Sequence, residues 1–150
     1  GSAVVYDGTI AGKTVVSAGG VLTTDSDVLL SGSIVDAGKV SGGIVAVSAN
    51  LTVQDGGVLE GTVASNGSIW VASGASASNV SVASGTSGYS QIVISAGGSV
   101  TNASAEGWSN IVVSSGASLL SASTVSANNA GDGIQVQGGV VTNVTVGEHG

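Results

Sequence analysis

The chain of 150 residues has no cysteine, proline, methionine or phenylalanine, two lysines, no arginine, and a single histidine, His149. Without cysteine there is no disulfide scaffold and no thiolate site for zinc or an iron–sulfur cluster, and one histidine cannot build a multi-His metal site. Two cations against nine carboxylates leave a formal net charge of −7. Such a chain cannot neutralise a phosphate backbone and is repelled by anionic lipid, which excludes nucleic acid and direct membrane insertion as partners. Nor is there a run approaching the roughly 20 apolar residues of a membrane span. No signal-peptide pattern opens the sequence, and Gly1-Ser2 reads as a cloning scar. Residues 1–150 are therefore expected to form a single segment cut from something longer.

What is present is a small alphabet: Gly, Ser and Val occur 26 times each. Little charge with much Gly and Ser is also the signature of disorder, but 42% of the residues are hydrophobic, mostly β-branched and in short alternating runs. Disordered chains lack that apolar content because they cannot offset the entropy of ordering.

The alternating runs repeat. Val16-Ser17-Ala18-Gly19-Gly20 returns in altered form at Val35, Val53, Val71, Ile94, Val113 and Val136, anchors separated by 19, 18, 18, 23, 19 and 23 residues. The longer intervals hold insertions at Ser87-Gly88-Tyr89 and Asn128–Asp132. Before the anchor comes an alternating run such as Ile92-Val93-Ile94; after it, the segments 74–82, 97–105 and 138–146 match position by position. Residues two apart share a face of a strand, and no stretch has the period of a helix. Each unit therefore carries two or three short strands divided by Gly, Asn and Ser that tolerate tight corners. A unit this small buries its apolar face only by stacking on copies of itself. The expected fold is an all-β, right-handed parallel β-helix (β-solenoid) of about 7–8 coils of 18–23 residues, with Val, Ile, Leu and Ala in a narrow bore.

The Val-x-x-Gly-Gly anchor at about 19-residue intervals, followed by Gly-Gly-x-x-Thr-Asn-x-Thr-Val at Gly138–Val146, resembles the passenger repeats of AIDA-type self-associating autotransporter adhesins, from about Thr14 to Val146. The resemblance implies a secreted passenger on the Gram-negative cell surface, acting in adhesion, autoaggregation or biofilm formation. It implies a translocator barrel not contained in this sequence, and O-heptosylation of repeat serines as in some members. It carries no catalytic residues and no cofactor.

Among the carboxylates, Asp25 and Asp27 form one close pair, on one face if that segment is extended, and Asp36 and Asp55 fall near one corner of adjacent coils. Carbohydrate-cleaving β-helices need converging carboxylates or calcium, and these four are read mainly as solvated charge that keeps a β-rod soluble. Ala130–Ile134 is one imperfect match to a calcium-binding nonapeptide. The aromatics point to contact with a ligand or partner. Trp70 lies between inward residues and should face out. Tyr89 and Trp108 occupy equivalent positions and should sit one above the other, either as a stacking platform or as a plug for the corner at Ser87-Gly88. Asn79, Asn102 and Asn143 share one repeat position, where a corner and an amide ladder account for them better than glycosylation.

The function expected is adhesion through an extended polar surface, by binding other passengers, host-surface proteins or glycans, with no enzymatic activity and no cofactor. The alternative is a carbohydrate-active or glycan-binding β-helix. Ice binding needs a regular threonine array, and the threonines here are irregular.

Overall fold

The computed structural model describes residues 1–83, 88–125 and 133–147. They form a β-solenoid of about seven turns with no helix among the described residues. Each of the first four coils has three short strands: β1 (Ser2–Val5), β2 (Thr9–Ile10) and β3 (Lys13–Val16); β4 (Val21–Thr24), β5 (Leu29–Leu30) and β6 (Ser33–Asp36); β7 (Lys39–Ser41), β8 (Ile44–Val45) and β9 (Asn50–Val53); β10 (Val58–Glu60), β11 (Val63–Ser65) and β12 (Ser68–Val71). In the next three coils the first two strands run together: β13 (Ser76–Ala83) with β14 (Ser90–Ile94), β15 (Ser99–Glu106) with β16 (Ser109–Ser114), and β17 (Ser118–Val125) with β18 (Gly133–Gln137); β19 (Val140–Val146) begins another turn.

Strands of successive coils pair in parallel, so equivalent residues stack into columns along the rod. Alternation then decides which columns face the bore. One inner column runs Ile34, Leu51, Ile69, Ile92, Ile111, every member fully buried; another runs Leu22, Val40, Leu59, Ala77, Val100, Leu119. Burying each such Ile or Leu contributes roughly 1.5–3 kcal/mol. That, with the ladder hydrogen bonds, replaces the aromatic core this chain does not have.

One anchor is shifted from the sequence reading. Val16 pairs with Asp36, and Asp36 with Val53, so in the second coil the inward position belongs to Asp36 while Val35 faces outward opposite Val15. The reason is a shorter corner. Four residues, Ser17 to Gly20, lead from Val16 to Val21, closed by a hydrogen bond from Gly20 N–H to the Ser17 carbonyl (2.7 Å). In the second coil only Ala37 and Gly38 lie between Asp36 and Lys39, which pairs with Val21. The Asp36 carboxylate closes this shortened corner by accepting from Gly38 N–H at 2.9 Å, the short-range bond by which Asp mimics a backbone turn.

The full-length corners have Gly at the tip with positive φ: Gly19, Gly56, Gly74, Gly97 and Gly116, each between 74° and 77° or at 80°. This is the third position of a type II turn. The tips are themselves stacked, Gly56 N–H donating to the Gly74 carbonyl (3.1 Å), Gly74 to Gly97 (3.1 Å) and Gly97 to Gly116 (2.9 Å). Asp25 and Asp27 would share a face if their segment were extended; the chain instead turns there, with Val28 N–H on the Asp25 carbonyl at 3.2 Å and both aspartates exposed. Asn128–Asp132, most of Ala130–Ile134, Ser87 and His149 lie outside the described residues.

Candidate functional site

The corner that bends β13, β15, β17 and β19 carries a left-handed residue in every coil: Asn79 (φ 52°), Asn102 (φ 60°), Ser121 (φ 61°) and Asn143 (φ 55°). The earlier coils place Gly42 and Gly61 there, between the paired residues that flank the corner. Asn tolerates this conformation better than other side chains, and its amide adds a bond along the rod. Asn102 Nδ2 donates to Asn79 Oδ1 at 3.0 Å, the amide ladder expected at this position. Ser121 completes the column between Asn102 and Asn143, and was not legible as its member because a serine among 26 carries no distinguishing mark.

Two residues further on, Ser81, Ser104, Ser123 and Thr145 stack as a second polar column. Between the columns the floor is Val80, Ala103 and Ala122, all buried. Two shallow hollows on this floor share Asn102, Ala103 and Ser123 and so form one groove along the rod, lined by amides, hydroxyls and methyl groups with no charged side chain. The floor lies below the amides and hydroxyls because Val80, Ala103 and Ala122 belong to the buried core of the bore.

Trp70 faces outward on the sheet that contains β12, 39% exposed, paired with Thr52 below and Val93 above. Asn50, Thr52, Ala72 and Ser95 complete a hollow beside it of about 380 Å³. Tyr89 and Trp108 precede the paired residues Ser90 and Ser109, which sets them at equivalent positions on adjacent coils; each is 49% exposed. Trp70 stands within β12, whereas this pair lies at the corner before β14 and β16.

The serines behind Tyr89 and Trp108 have structural roles. Ser90 Oγ accepts from Asn66 N–H (2.7 Å) and donates to the Ala83 carbonyl (2.9 Å), while Ser109 Oγ donates to the Glu106 carbonyl (2.7 Å). These bonds satisfy backbone groups freed where the corner interrupts the ladder.

The four aspartates do not converge. Asp25 and Asp27 are exposed on one corner, Asp55 is exposed on another, and Asp36 is fully buried rather than solvated. Burial pushes the Asp36 carboxyl above the usual carboxylate range, opposed by the backbone N–H groups of Gly38 and Val40. Its Oδ2 has no hydrogen-bond partner. Among the described residues no group of three or more His, Cys, Asp or Glu side chains could hold a metal ion. No protein-family model matches the sequence, and comparison with curated proteins gives no match.

Proposed function

We propose that this rod is part of a secreted surface adhesin of the autotransporter kind, which joins cells by side-by-side association of copies on the Gram-negative cell surface. The observation that carries the reading is the uncharged groove of stacked Asn, Ser and Thr between two columns, repeated at the coil spacing. A second rod offers the same donors and acceptors at the same interval, so one register of contact repeats along the four coils from Asn79 to Thr145. With a net charge of −7 and two lysines, pairing of opposite charges between copies is a poor basis for attraction, and neutral hydrogen bonds avoid it.

Magnitudes set the strength. Four coils at about 4.8 Å make a groove roughly 19 Å long, and a strand-wide face of roughly 13 Å gives about 250 Å² per copy. Stable interfaces bury about 800 Å² per partner, and each neutral hydrogen bond adds only about 0.5–1.5 kcal/mol. This segment therefore associates weakly by itself, and cells are held by many copies in parallel. Cells displaying the chain are expected to settle together, and settling should be lost when Asn102→Asp and Ser104→Glu place negative charge in the groove. Settling equal to that of the unsubstituted chain would contradict the proposal.

A further inference from the structure

We infer that the hollow beside Trp70 is a binding site for an uncharged oligosaccharide. The outward column in which Trp70 stands is otherwise Val15, Val35, Thr52, Val93, Val112 and Gln135, the β-branched and polar side chains that a parallel sheet places on a face. Tryptophan is the departure. It is partly exposed on a rigid sheet, and the small Ala72 beside it leaves room in the hollow.

The other lining groups are Asn50 and Thr52 from the coil below and Ser95 from the coil above. An amide and two hydroxyls each donate and accept, as sugar hydroxyls require, while the indole offers an apolar face to the C–H side of a pyranose ring. No charged side chain lines the hollow. Lys13 stands in the Asn50 column two coils away, about 10 Å along the ladder. Lys39 is on another sheet and is paired with Glu60 at 3.1 Å. Nothing at the site neutralises a uronate, sulfate or sialate, and the net charge of the chain repels them. The ligand is thus a neutral glycan, held by stacking and hydrogen bonds on a face separate from the groove proposed for self-association.

The test is isothermal titration of the whole chain, at a concentration where sedimentation gives the monomer mass, with cellohexaose, mannohexaose, chitohexaose and a heparin hexasaccharide. At least one neutral hexaose should bind with little dependence on salt, and Trp70→Thr and Asn50→Ala should each weaken it roughly tenfold or more with circular dichroism unchanged. If Trp70→Thr does not fold, Asn50→Ala decides. The inference is overturned if no neutral hexaose binds, if the heparin fragment is preferred, or if the substitutions leave affinity intact. Because the chain is monomeric in this experiment, its outcome is independent of self-association.

Discussion

At the scale of single residues, Asp36 gives the sharpest expectation. Its carboxyl is raised above the ordinary range by burial, so the folded chain holds the proton more tightly than the unfolded one. The penalty is absent below the unfolded pKa and grows as pH rises through the raised folded value, so this residue lowers stability toward neutral pH. Asp36→Asn keeps an oxygen for Gly38 N–H and cannot ionise. Urea unfolding should find the variant more stable than the parent at pH 7, with the advantage shrinking as the pH is lowered toward 4. No difference at pH 7 would refute the assignment. At Asn102 the backbone and the side chain contribute separately. Asn102→Gly keeps the left-handed conformation and loses the 3.0 Å amide bond, a cost of about 1 kcal/mol. Asn102→Ala adds strain of roughly 1 kcal/mol or more and should unfold at lower urea than the glycine variant.

At the scale of the coil, the corners separate two kinds of glycine. Gly116 sits at a turn tip with φ 77°, and a Cβ there would lie 3.6 Å from Ala96, in ordinary contact. Gly116→Ala should therefore cost only the conformational strain, about 1–2 kcal/mol. Gly57 has no positive φ, but a Cβ there would press on the Asp36 carbonyl oxygen and the Val53 side chain. Gly57→Ala must move the backbone of the coil below, and denaturant midpoints should place its cost above that of Gly116→Ala, at about 3 kcal/mol or more. Equal costs would mean that the stacked coils yield easily. The strand-and-corner unit was readable because period-two alternation and Gly-Gly punctuation are both local. The second coil was misaligned by one residue because Val35 offered a valine at the expected spacing, whereas the true register depends on Asp36 closing a corner two residues shorter than its neighbours.

At the scale of the whole molecule, the repeat dictates a rod whose coils contact only their neighbours, so stability accumulates coil by coil and the surface is a set of parallel columns. The outward direction of Trp70 and the equivalence of Tyr89 and Trp108 followed from alternation and alignment alone. The groove did not, because its walls and floor come from segments 79–81, 102–104, 121–123 and 143–145, about 20 residues apart, and the Ser121 segment carries no mark that aligns it with the others. The same columns make association a property of length, since each coil from Asn79 onward adds the same few contacts. Sedimentation equilibrium from micromolar to millimolar chain is the most direct test. The account predicts a reversible rise in average mass toward the upper end of that range, reduced in Asn102→Asp. A monomer mass throughout, or a rise unchanged by the substitution, would contradict it.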